Sequence, residues 1–224
     1  METSELIERL AAGVAPVRRL ISPWRRALLW LAMSVPYVAA VVWLHAEATH
    51  VTTVFGDMRF VVAQTAALAT AVLAALAAFS SVVPGRDRRV LYLPLVPLAI
   101  WLVLIGDGCV RDWLQLGAKG LELRPDWHCL PPAIVIGILP AIGMVVMLRR
   151  GAPVQPRASV AMGALAVAAL GNSGLSLFHV GDASIMVLVW HFGSVAVLSV
   201  LACWMGRHVL NWRGAGVIRA RTLG

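Results

Sequence analysis

Cys109 and Cys129, with His128 beside the second of them, are the side chains in this chain best suited to redox or metal chemistry. His179 and Asp182 follow in a short polar stretch, and His45 and His50 come earlier. Cysteine, histidine and aspartate are the ordinary ligands of transition metals. Two thiols on an oxidising side of a membrane can also close a disulfide. No CxxC pair and no H-E-x-x-H stretch is present, so no ligand spacing selects among a metal site, one disulfide and free thiols. A bis-histidine haem needs ligands on facing helices, and of the histidines just His191 lies inside an apolar run. Cys203 sits near the end of the last apolar run and reads as a buried free thiol. Neither a phosphate loop nor a G-x-S-x-G turn occurs, which argues against an enzyme and leaves no catalytic residue to assign.

These residues must be positioned by apolar helices. Six stretches are long enough to cross a bilayer: Ala27–Leu44, Val61–Val83, Val90–Ile105, Ala133–Leu148, Val160–Leu177 and Ile185–Met205. A helix rising about 1.5 Å per residue needs roughly 20 residues for this. With 60% hydrophobic residues and a mean hydropathy of +0.82, the chain has too little polar surface to cover such a core in water. The prediction is an all-α polytopic bundle of six transmembrane helices. Ala46-Glu47-Ala48 resembles a signal cleavage site, but the preceding apolar run exceeds the roughly 7–15 residues of a signal core, so the first span is read as retained.

The formal net charge of +8 invites a nucleic-acid partner, but its distribution points elsewhere. Fifteen basic residues fall before the first span, between spans two and three, between four and five, and after the sixth. The intervening loops hold Arg59, Arg111, Lys119 and Arg124. Basic loops stay in the cytoplasm, so both termini are predicted there, with the charge facing anionic headgroups of a bacterial inner membrane. On that reading Cys109 and Cys129 share the second exterior loop, and His179 lies in the third.

Three regions follow: a cytoplasmic N-terminal segment 1–26, a transmembrane domain 27–205 and a basic cytoplasmic tail 206–224. In the first, Leu6, Ile7, Leu10, Ala11 and Val14 repeat at helical spacing, with Glu5, Glu8 and Arg9 between them. Gly13 and Pro16 end the pattern. So short an amphipathic helix is marginal alone in water. It needs a membrane surface, its own bundle or a protein partner to lie on. Within the spans, His191 is the one ionisable residue at depth, which disfavours an ion-coupled transporter. Small residues repeat every fourth position: Ala63, Ala67, Ala71 and Ala75; Ala66, Thr70, Ala74 and Ala78; and Ala164, Ala168 and Asn172. That spacing predicts close helix packing, and Pro36, Pro94, Pro97 and Pro140 predict kinks.

Several separated stretches resemble one family. They are Leu6-Ile7, Leu10-Ala11-Ala12, Pro16-Val17-Arg18-Arg19-Leu20, the entry containing Arg26, and Cys129-Leu130. Arg149-Arg150-Gly151-Ala152-Pro153 with Pro156-Arg157 is the most specific, and His179, Trp190 and Trp212 complete the set. In these the chain resembles the NrsF type of membrane anti-sigma factor, the negative regulators of SigF. The resemblance implies a bacterial inner-membrane protein whose N-terminal segment sequesters an extracytoplasmic-function sigma factor, through Leu6, Ile7, Leu10 and Val14 with Arg18 and Arg19. It also implies that exterior thiols sense oxidants or thiol-reactive metals and trigger release, with no cofactor required. The family carries a cysteine after the histidine of its last exterior loop, and here that position is Val180. Cys129 is kept, so it can pair with Cys109, react alone, or ligate a metal with His128 or His179. The competing reading is a structural, metal-binding or haem-binding membrane subunit with no sigma-factor partner. Neither reading specifies the oligomeric state.

Overall fold

The computed structural model describes residues 3–12, 20–45, 56–83, 85–117, 130–151, 155–177 and 193. Six α-helices form: α1 (Thr3–Ala12), α2 (Pro23–His45), α3 (Met58–Ser81), α4 (Leu95–Leu116), α5 (Leu130–Arg149) and α6 (Pro156–Leu175). A 3-10 turn, Arg88–Tyr92, precedes α4, and no strand occurs among the described residues. Five of the helices, α2 to α6, are long and apolar enough to cross a membrane. The sixth predicted span, Ile185–Met205, lies outside the described residues, as do Cys203 and the tail 206–224.

α3 and α6 form the most extensive helix pair. The reason lies in the small residues of α3. Ala67, Ala71, Ala75 and Ala66, Thr70, Ala74, Ala78 are all buried, so both predicted rows face neighbouring helices at short range. On α6 the predicted Asn172 is buried, as are Gly171 and Gly174 beside it, and only part of the alanine row lies off the interface. Gly163, Ala166, Ala169 and Leu170 are buried, whereas Ala164 and Ala168 are half-buried. A four-residue row drifts around a helix of 3.6 residues per turn, so spacing alone leaves the buried row undecided. Polar ties close the pair at both ends. Gln64 donates to Ser176 Oγ and, at 3.3 Å, to the Ser173 carbonyl. At the opposite end Ser81 and Ser159 share a hydroxyl bond of 2.7 Å.

α2 crosses onto α5 through an antiparallel ladder of side chains donating to backbone carbonyls. Arg26 donates to Met147 O, Trp30 Nε1 to Pro140 O at 2.9 Å, and Tyr37 to Val135 O at 2.6 Å. Trp30 is fully buried, and its indole N–H finds the partner that burial demands. Gly174 of α6 leaves room for α2, since a Cβ there would lie 2.7 Å from Val38 Cγ1.

These contacts order the bundle up and down. The starts of α2 and α6 meet the ends of α3 and α5. At that end lie Arg25, Arg26, Arg86, Arg88, Arg89, Arg149, Arg150 and Arg157; Arg59 and Arg111 lie toward the other. The alternation read from the loops is therefore a real segregation of charge between two ends among the described residues.

The third predicted span needs correction. Its helix runs to Leu116, not Ile105, so Gly106, Asp107 and Cys109 are helical and not in a loop. The apolar run ends at Ile105, but the helix continues unbroken through Gly106, Asp107 and Gly108. The helix stops at Gly117, whose φ of 60° places it in the left-handed region glycine tolerates. Hydropathy marks where the apolar layer ends, and a helix can continue beyond it. His45, likewise expected in a loop, is the last residue of α2.

Candidate functional site

Two regions carry the residues singled out by sequence. The first is α1 and the chain entering α2. Every residue of α1 is exposed, including Leu6 (42%), Ile7 (61%) and Leu10 (64%). Glu5 and Arg9 pair at 2.8 Å one turn apart, which supports the helix while leaving the leucines uncovered. Ten residues with no buried face gain no stability from packing among the described residues. Val14, Arg18 and Arg19 lie outside the described residues.

Where the chain enters the bundle, neighbouring arginines have opposite fates. Arg25 is exposed and stacks on Trp24, its guanidinium carbon 5.2 Å from the ring centroid. Arg26 is only 4% exposed. It donates to Met147 O and lies 4.8 Å from the centre of the Phe79 ring, so one side chain holds α2, α3 and α5 together. A carbonyl dipole and an aromatic face offset part of the cost of removing this cation from water. Its Nη1 is buried without a hydrogen-bond partner. Sequence reading placed Arg26 in the approach to the membrane, and its burial was missed. The signal was present in the helical spacing of Arg26, Trp30, Ser34, Val38 and Val41, all buried on one face.

The second region is the opposite end of the bundle. Asp107 accepts from Arg59 of α3 and, at 3.2 Å, from Arg111 Nε one turn further along α4. The three are exposed, so the network is screened and weak as a clamp. Because Arg59 opens α3, Asp107 marks the level at which the bundle ends. Residues 108–116 then extend α4 by roughly 13 Å beyond it. Cys109 lies on this extension, half-buried and as a free thiol. α4 packs mainly on α3, with no extensive contact to α5, the helix that starts just after Cys129. His128, Cys129, His179 and Val180 lie outside the described residues. Among the described residues no group of three histidine, cysteine, aspartate or glutamate side chains could hold a metal ion.

Together these features define a helical protein with membrane-spanning capacity, a bundle with one strongly basic end and a short helix left uncovered beside it. The family described as NrsF, negative regulator of sigma F, matches residues 10–212, and the chain belongs to it. The family name implies a negative regulator of a sigma factor. The match includes Leu10 and the arginines at positions 18, 19 and 26, and begins after Leu6 and Ile7. Neither a curated protein nor a solved structure matches the chain.

Proposed function

We propose that the protein is a six-span anti-sigma factor of a bacterial inner membrane, holding an extracytoplasmic-function sigma factor at the cytoplasmic, basic end of the bundle. The observation that carries this reading is α1. It presents Leu6, Ile7 and Leu10 on one face, and none of the described helices covers them. An amphipathic helix of this kind docks into an apolar groove on a partner, and the family supplies the partner's class. Arg18 and Arg19 add charge to the contact. The orientation rests on the segregation of arginines to the end where α2 and α6 begin.

Release is assigned to the exterior thiols. Cys129 is the primary sensor, and Cys109 its first-choice partner in place of the cysteine missing at Val180. The helical extension of α4 bears on that pairing. It puts Cys109 just beyond the bundle, where an oxidant in solution can reach it. Sulfenate formation at Cys129 alone, or metal ligation with His128 and His179, are the other routes.

Co-expression of the full chain with the sigma factor tests the contact. The intact protein is expected to retain the sigma factor in the membrane fraction. The double change Leu6→Asp with Leu10→Asp is expected to lose it, at least about a hundredfold in affinity for two buried anchors. Retention by the double variant would show that α1 is not the contact. Loss of retention on oxidant treatment, abolished by Cys129→Ser, is expected if the exterior thiol is the trigger.

A further inference from the structure

A cleft of about 350 Å³ opens at the basic end, between the last turn of α3, the 3-10 turn and the start of α6. Among the described residues its polar lining is Ser80, Ser81, Arg86, Asp87, Arg88 and Gln155. Most of these groups are engaged. The Ser81 hydroxyl is held by Ala78 O and Ser159. The Asp87 carboxylate accepts from the Arg89 N–H at 2.9 Å. With its amide oxygen turned toward α4's approach, Gln155 accepts from Arg88 Nε at 3.0 Å and Nη2 at 3.2 Å. That bond orients the guanidinium and leaves Nη1 for something else.

One group is not engaged. Ser80 is 3% exposed, and its buried hydroxyl has no hydrogen-bond partner, although a serine in a helix can bond the carbonyl of the preceding turn. Buried polar groups left unpaired are rare and costly, so an orphan beside two arginines points to an occupant. The residue that precedes α6 also lines this place. Gln155, its N-cap residue, makes no side-chain bond to the helix, so the positive end of the α6 dipole is not neutralised there by a side chain.

We propose that this cleft holds the phosphate of a net-anionic glycerophospholipid, one whose headgroup carries no cation to be repelled by Arg86 and Arg88. The phosphate lies between the Arg86 and Arg88 guanidinium groups, and the Ser80 hydroxyl, closed off from the cleft in its present rotamer, turns about χ1 to donate to it. The planar donor fork of arginine suits phosphate oxygens. Two arginines against one aspartate leave a lining of net charge +1, which matches a singly charged phosphodiester better than a dianionic phosphate monoester. Ala77, Val90 and Leu91 supply the apolar part of the lining, along which the glycerol and first acyl carbons can run. The cleft lies where one span-length helix ends and the next approaches, the depth at which headgroups sit. A bound lipid there would brace the α3–α6 pair at the arginine-rich end.

The test is thermal unfolding of the full chain in a mild neutral detergent, with added phosphatidylglycerol, phosphatidylcholine or inorganic phosphate. Phosphatidylglycerol is expected to raise Tm in a saturable way, and the other two are not. The double change Arg86→Gln with Arg88→Gln should weaken half-saturation by about tenfold or more. Arg25→Gln removes a charge from the same end but not from the cleft, and should leave half-saturation unchanged. Ser80→Ala, which cannot disturb packing by size, should weaken it several-fold and serves if the double variant does not fold. Equal stabilisation by phosphatidylcholine, or equal weakening by Arg25→Gln, would reduce the effect to general membrane electrostatics and overturn the site. A full response to inorganic phosphate alone would show a soluble anion site and overturn the lipid assignment.

Discussion

α6 and α1 invert what their sequences advertise. α6 has no strong polar-apolar division, yet its last six residues from Leu170 to Leu175 are all buried and it is the tightest partner of α3. α1 has a clear apolar stripe and buries nothing. In a bilayer, lipid covers apolar surface as well as protein does, so helices associate through small residues and close approach. In water an apolar stripe is a demand for a partner. The contrast separates the helix whose surface is satisfied by its neighbours from the helix whose apolar stripe stays exposed among the described residues.

Substitutions can break that contrast, the largest effect first. Gly174→Leu drives a branched side chain into Val38, where even a Cβ would lie 2.7 Å from Val38 Cγ1. We expect a loss of about 3 kcal/mol or failure to fold, read as a collapse of Tm in detergent. An unchanged Tm would mean that α2 and α6 are not packed as described.

Arg26→Met tests the place where the chain enters the bundle. It removes the bond to Met147 O and the stacking on Phe79, but it also removes a cation whose Nη1 is unpaired. The opposing terms should nearly cancel, leaving a change within about 1 kcal/mol. A much larger loss would reveal an anionic partner for Arg26 that the described residues do not contain.

Leu10→Asp is expected to change stability least, by under about 0.5 kcal/mol, because Leu10 is 64% exposed and packs on none of the described helices. The same change should impair sigma-factor retention. A stability loss comparable to that of Gly174→Leu would place α1 against its own bundle and sharpen the comparison into one between two packed helices.

Much of this architecture was legible in the residues themselves. Apolar runs mark the helices because a bilayer-crossing segment must be continuous, and the five span-length helices each overlap one of the runs, although α4 continues well past the end of its run. The arginine bias between loops could be read for the same reason: helices that cross in alternation place alternate loops at the same end, and Arg26, Arg88, Arg150 and Arg157 do gather there. Ala67, Ala71 and Ala75 could be assigned to a helix interface because lipid offers no reason for such small side chains.

Tertiary structure decided the rest. The extension of α4 through Asp107 and Cys109 could not be read, since a helix leaving the membrane loses its apolar signature without losing its hydrogen bonds. The burial of Arg26 beside the exposure of Arg25 depends on where α2 meets the Phe79 ring and the Met147 carbonyl, residues more than fifty positions away. The unpaired Ser80 hydroxyl likewise emerges from the way α3, the 3-10 turn and α6 converge. Spacing along one helix sets which residues share a face. Only the packed neighbours set whether that face meets lipid, protein, water or a ligand.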